Sequence, residues 1–156
     1  MPLHRLPPRT GPRQAFRATL AVALAASIGA QAREARALPF RTPPIASPIL
    51  AEAARHLGQG NFTRRPGAWC AWFASAVLEA TGHKRLPNGL ALSALNAGPP
   101  APQPAPGDLV VMRGHVTFLV RFDGRGAFIG LGGNQGHRVR YSRFLLRSVI
   151  AFVRPT

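Results

Sequence analysis

The spacing of hydrophobic and polar positions changes between the first and second halves of the chain. Ser47 and Pro48 form a helix start, because serine caps well and proline fits the first helical position, so a short helix is predicted over 49–57, before Gly58. Residues 69–81 contain no Gly or Pro, and their apolar positions recur on one face. They predict a second, largely buried helix, and Leu90–Leu95 predicts a short third one.

Apolar runs separated by turn residues follow from residue 108 onward. The runs predict strands over 108–112, 115–122, 127–131, 138–141 and 149–153. Asp123-Gly124-Arg125-Gly126 predicts a hairpin turn, whereas the proline-rich segment 97–107 is a stiff connection. This order predicts an α+β domain in which N-terminal helices pack on a small antiparallel sheet.

The first 47 residues differ in composition from the rest of this 156-residue chain. Four arginines precede an uncharged run of 13 residues at 18–30, which is too short to span a bilayer, and Ala30-Gln31-Ala32 is an A-x-A cleavage site. We therefore predict a signal peptide at 1–32, a Pro-rich basic linker at 33–47 and one domain at 48–156, exported to the periplasm or the extracellular space. The alternative is a buried Ala-rich helix or an uncleaved anchor.

The charge balance is strongly basic, with a net charge of +15. Removing residues 1–32 leaves 16 Lys and Arg against 5 Asp and Glu, a net +11. The arginines are mostly scattered and no nucleic-acid motif or stacking platform accompanies them, so nucleic acid is not favoured as a partner. A solvated basic surface is the plainer interpretation, with anionic wall polymer or a membrane surface as possible partners. We expect a monomer.

Cys70 is the one cysteine of the chain, so no internal disulfide can form. It lies at the predicted start of the second helix, where unpaired backbone N–H groups favour negative charge. Those groups would stabilise an attacking thiolate and the oxyanion of an acyl intermediate. The alternative is an inert core cysteine, since free cysteine is often buried.

His115 is the best placed base among five histidines, because it follows Gly114 and opens an apolar strand. The other four fall in the signal peptide, at a helix end and in loops: His4, His56, His83 and His137. The structural alternative for His115 is a histidine that caps the strand. A Cys–His pair of this kind predicts a sulfur-to-imidazole distance of about 4 Å.

Asn134, in the LGGNQG segment, is the candidate for the third group that orients the imidazole. Its alternative is a turn residue selected for positive φ. Gln135 is a second-choice orienter, and Asp108 is the nearest carboxylate in sequence, although it has the features of a strand-entry residue. Metal-ligand spacing is missing from the sequence, so neither a metal nor a cofactor is predicted.

Three segments together resemble the CHAP family, the cysteine, histidine-dependent amidohydrolases and peptidases of bacteria. They are GAWCAWFASAVLEATG (67–82), PAPGDLVVMRGHVTFLV (104–120) and LGGNQGHRVRYSRF (131–144), and we expect the resemblance to cover about residues 48–155. The resemblance implies a papain-like fold and peptidoglycan peptides as substrate. Cys70 and His115 match the family's nucleophile and base, and Asn134 would fill a position where many members have Glu, Asp or Asn.

Together these features predict an exported cysteine amidase or endopeptidase that hydrolyses peptidoglycan peptide bonds by a Cys-His-Asn mechanism. Two alternatives remain open. The first is a non-catalytic basic cell-wall-binding module that retains the fold, and the second is a basic protein that binds nucleic acid or a membrane.

Overall fold

The structure, a computed structural model, describes residues 47–156. The predicted signal peptide at 1–32 and nearly all of the predicted linker at 33–47 therefore lie outside the described residues. The elements in chain order are α1 (Pro48–Arg55), α2 (Cys70–Ala80), a 3-10 helix (Ala91–Asn96), β1 (Leu109–Met112), β2 (His115–Phe122), β3 (Ala127–Gly132), β4 (Arg140–Leu145), a second 3-10 helix (Leu146–Ser148) and β5 (Val149–Val153). Over residues 47–156 no helix is both long enough and apolar enough to cross a membrane.

The two α-helices begin within one residue of their predicted starts at 49 and 69, and α1 ends two residues before the predicted end at 57. Ser47 Oγ accepts a hydrogen bond from the backbone N–H of Leu50 at 3.5 Å, and Pro48 occupies the first turn of α1. Helix α2 ends at Thr81, whose Oγ1 donates to the Val77 carbonyl at 2.9 Å. Seven of the eleven residues of α2 are buried, so this helix is the centre of the core: Cys70, Ala71, Phe73, Ala74, Ser75, Val77 and Leu78.

The five strands form one antiparallel sheet in the order β4-β3-β2-β1-β5, which confirms the α+β fold class. Alternate side chains divide the sheet into two faces. The helix face packs against α1 and α2 and includes Leu109, Val111, Val116, Phe118 and Leu131. The outer face carries a second apolar cluster built on Val110, Met112, Leu119 and Phe128.

Strand β4 lies farther along the chain than the predicted strand at 138–141. Its six residues pair with β3 from Gly132↔Arg140 to Ala127↔Leu145. Val139 instead exchanges backbone hydrogen bonds with the loop after α1, through Gly58 N–H at 2.9 Å and the Gln59 carbonyl at 2.8 Å. Because Val139 is bonded to this loop, β4 begins only at Arg140. Gly58 and Gln59 are distant from Val139 in sequence, so a local sequence pattern cannot predict this pairing.

Asp108 anchors the entry to β1. The side chain is 4% exposed and accepts hydrogen bonds from Ala105 N–H at 2.8 Å, Arg154 Nε at 3.1 Å and Arg154 Nη2 at 2.9 Å. These contacts tie the proline-rich connection and the end of β5 to the start of β1. Asp108 is therefore a strand-entry residue, with both carboxylate oxygens engaged at this end of the sheet.

We expect Asp108→Asn to lower the free energy of unfolding by about 2 kcal/mol, because it weakens a buried carboxylate that holds three donors. Glu79→Gln is the matched control, since it removes an exposed ion pair to Arg85 and should cost less than about 1 kcal/mol. Urea unfolding of both variants measures the difference. Equal small losses would show that the Asp108 contacts do not stabilise the sheet.

Candidate active site

Cys70 is the first residue of α2, and its side chain is 2% exposed within the core between α2 and the helix face. The turn after β3 lies against this end of the helix. A Cβ atom at Gly133 would lie 2.6 Å from the Trp69 ring and 2.5 Å from Phe73 Cβ, so only glycine allows the approach. The glycine-rich turn is thereby held beside the first turn of α2.

His115 is the first residue of β2 and lies on the outer face of the sheet. Its neighbours Val116 and Phe118 point toward the helix face, whereas the His115 ring stacks on Phe144 at 5.4 Å between centroids. Its Nε2 atom is buried and has no hydrogen-bond partner. Burial lowers the pKa of His115 to about 4, because the charged imidazolium would lose its hydration. The imidazole is therefore neutral at neutral pH, the form that a general base needs.

A cavity of about 320 Å³, which we call the imidazole cavity, brings His115 and Asn134 together. Its lining residues are His115, Asn134, Gln135, Gly136, Arg140, Ser142, Arg143 and Phe144. Asn134 has a φ of 57°, the left-handed conformation that the turn interpretation requires. Gln135 is 5% exposed and its Nε2 donates to Thr117 Oγ1 at 3.2 Å, so its amide belongs to the floor of this site.

The structure does not join the three predicted site residues by hydrogen bonds. Within residues 47–156, Cys70, His115 and Asn134 make no hydrogen bond to one another, and Cys70 is not among the lining residues of the imidazole cavity. The thiol faces the helix core while the imidazole packs on the outer face. A direct Cys–His reaction therefore requires a rearrangement that brings the imidazole from the outer face of the sheet to the start of α2.

Two residues of the cavity lie outside the predicted Cys-His-Asn set. Gln135 is the second-choice orienter, yet its amide bonds to Thr117 rather than to His115. Arg140 is not among the residues predicted from the sequence. Its period-two spacing to Ser142 and Phe144 is the signal that places the three on one face of β4.

No group of three His, Cys, Asp or Glu side chains that could hold a metal ion occurs in residues 47–156. No protein-family model matches the chain, and no curated protein matches it in sequence.

We expect Asn134→Gly to keep the melting temperature while lowering turnover about ten-fold, because glycine accepts positive φ but cannot orient an imidazole. Asn134→Ala should lose both, since alanine lacks the side-chain amide that lets Asn tolerate this φ, a loss of about 1 kcal/mol. Thermal unfolding and hydrolysis of purified sacculi measure the two effects. Full activity in Asn134→Gly would reduce Asn134 to a turn residue.

Proposed function

We propose that the chain is an exported, monomeric cysteine amidase or endopeptidase with a papain-like fold, which hydrolyses peptide bonds of peptidoglycan. The observation that carries the proposal is the buried Nε2 of His115, which has no partner although an unpaired buried polar atom is costly. A neutral imidazole with an open acceptor position is in the protonation state that a base for a thiol requires. Cys70 at the start of α2 is the one thiol of the chain that could use it.

The proposed reaction has four steps. After a rearrangement that brings the imidazole to the start of α2, His115 takes the Cys70 proton, and the thiolate attacks the amide carbonyl carbon. Backbone N–H groups in the first turn of α2 stabilise the resulting oxyanion. The imidazolium then gives its proton to the departing amine as the C–N bond breaks. Water, deprotonated by His115, attacks the thioester, and the acid product leaves as the thiol is restored.

Asn134 supports this reaction by position. It lies in the turn beside the first turn of α2 and lines the same cavity as His115. Its side-chain amide is thus available to hold the imidazole when the ring moves toward the thiol. Because Asn is neutral, it would fix the ring direction without raising the basicity of the imidazole as a carboxylate does.

A non-catalytic wall-binding module is the second candidate, and the nearly complete burial of Cys70 favours it. A catalytic thiol must be reachable, whereas an inert core cysteine is shielded. The rate of alkylation by iodoacetamide separates the two. A thiol that reacts faster in the folded protein than in the urea-unfolded protein supports catalysis, and a thiol that reacts only on unfolding supports the binding module.

The decisive experiment is zymography on purified sacculi, with the wild type and Cys70→Ser compared at equal concentration. Clearing by the wild type alone supports the hydrolase. Sacculus binding without clearing by either protein supports the wall-binding module.

A further inference from the structure

The described part of the chain neutralises all of its acidic side chains internally. Its four carboxylates form ion pairs with Arg or His: Glu52 with Arg55 and His56, Glu79 with Arg85, Asp108 with Arg154, and Asp123 with Arg143. Among residues 47–156 no carboxylate lines the cavities on either side of His115. The side chains with a permanent charge that line these cavities are therefore all arginines.

Arginines line both sides of His115. Arg140 and Arg143 line the imidazole cavity, while Arg113 and Arg147 line a neighbouring cavity of about 560 Å³. Arg143 is already engaged, because its Nε donates to Asp123 at 2.6 Å. Arg140 makes no ion pair with the carboxylates of residues 47–156, so it is the cation of the imidazole cavity that is available to a ligand.

The exposed Arg140 guanidinium lies against the turn after β3. A Cβ atom at Gly136 would lie 3.0 Å from Arg140 Cζ, which shows that the guanidinium lies directly over the glycine. Gly136 also has a φ of 65°, so the turn and the close contact both favour glycine here. A planar cation held against a backbone is well prepared for paired hydrogen bonds to a carboxylate.

Two polar atoms on the wall of the imidazole cavity lack partners. They are Nε2 of His115 and Oε1 of Gln135, both buried. Buried polar atoms are normally hydrogen-bonded, so we expect a bound ligand to supply hydrogen bonds that these atoms lack. Oε1 of Gln135 only accepts hydrogen bonds, so the N–H of a bound peptide amide is a donor that matches it.

We infer that the imidazole cavity binds an acidic residue of a peptide, with Arg140 pairing with its carboxylate and Gln135 hydrogen-bonding to the adjacent peptide amide. The inference deepens the proposed function, on which it depends for the reaction but not for binding. A cavity of about 320 Å³ suits one side chain and its amide. An extended phosphate polymer would instead need a continuous basic groove.

The test measures binding of two peptides, N-acetyl-Ala-Glu-Ala-amide and N-acetyl-Ala-Gln-Ala-amide, to the chain carrying Cys70→Ala, by calorimetry. We expect the Glu peptide to bind about ten-fold tighter or more, as a charge-assisted pair predicts. Arg140→Gln should bring the two affinities within about two-fold of each other. Arg125→Gln is the matched control, because it removes the same charge at the far end of β2 and should leave the preference intact.

Gln135→Met tests the second contact. It should weaken both peptides equally while keeping the Glu preference, and a melting curve establishes that the variant is folded. Unchanged affinity in a folded Gln135→Met would remove Gln135 from the site.

Three outcomes would overturn the inference. They are equal binding of the two peptides, an equal loss in Arg125→Gln, and displacement by inorganic phosphate without any Glu preference, which would indicate an anionic polymer. Sacculus hydrolysis is scored separately. Cys70-dependent hydrolysis without a Glu preference refutes this inference alone, whereas a Glu preference without hydrolysis refutes only the proposed function.

Discussion

Cys70→Ser is expected to lower the release of soluble peptide from purified sacculi by at least about a thousand-fold. A serine hydroxyl at this position keeps the size and the helix start but is a far weaker nucleophile when only an imidazole assists it. The change replaces one atom in a side chain that is 2% exposed, so the fold should persist. Turnover and the far-ultraviolet circular dichroism spectrum are measured on the same preparation.

Ala76→Ser is the matched control for this prediction. It introduces the same hydroxyl into α2, at a partly exposed position away from the helix start. Its turnover should stay within about two-fold of the wild type, because an exposed serine costs a helix only a few tenths of a kcal/mol. Full activity in Cys70→Ser would show that the thiol is not the nucleophile.

The free energy of unfolding is expected to fall by about 3 kcal/mol as the pH drops from 6.5 to 4, because of His115. Burial lowers the pKa of His115 from 6.5 to about 4, so the unfolded chain binds a proton in this range that the folded chain does not. Stability is therefore complete above pH 6.5 and is lost as the pH falls toward 4. Urea titrations at several pH values measure the slope.

His115→Gln should flatten this dependence, because it removes the titrating ring. His83→Gln is the control, since His83 is a partly exposed loop residue that bonds to Thr81 Oγ1. The His83→Gln variant should keep the wild-type dependence of the free energy of unfolding on pH. A slope that survives in His115→Gln would assign the effect to other groups.

The same pKa affects catalysis. The acidic limb of the kcat/KM profile reports the base of the free enzyme, so we expect it near pH 4 rather than near 6.5. His115→Gln should lower turnover about a thousand-fold at every pH, as loss of the base does. An acidic limb at 6.5 would mean that another histidine, or His115 in a solvated position, acts as the base.

Local patterns predicted most of the secondary structure. The predicted strands at 115–122 and 149–153 match β2 and β5, since alternating apolar residues bounded by Gly or polar turns specify a strand locally. The predicted helix at 69–81 exceeds α2 by one residue at each end. The short helix predicted at 90–95 is a 3-10 helix at 91–96.

The places of the candidate residues in the secondary structure could be predicted from the sequence, but their geometry could not. His115 opens β2 as expected, yet the face on which its ring lies depends on register, and a shift of one residue reverses it. Asp108 is fixed by Arg154, which follows it by 46 residues, so its role emerges only from the fold. The partnership of Gln135 with Thr117 likewise crosses the sheet.

The two edges of the sheet have different exposures to other molecules. At β5, Val153 pairs with Pro100 and Arg154 N–H donates to the Pro99 carbonyl at 3.0 Å, so that edge is covered by the proline-rich connection. At β4 the edge carries Arg140 and Arg143, and charged side chains oppose the addition of a further strand. The arginines that line the imidazole cavity therefore also oppose the pairing of β4 with a strand of another copy. Neutralising these arginines would favour edge-to-edge association of the chains.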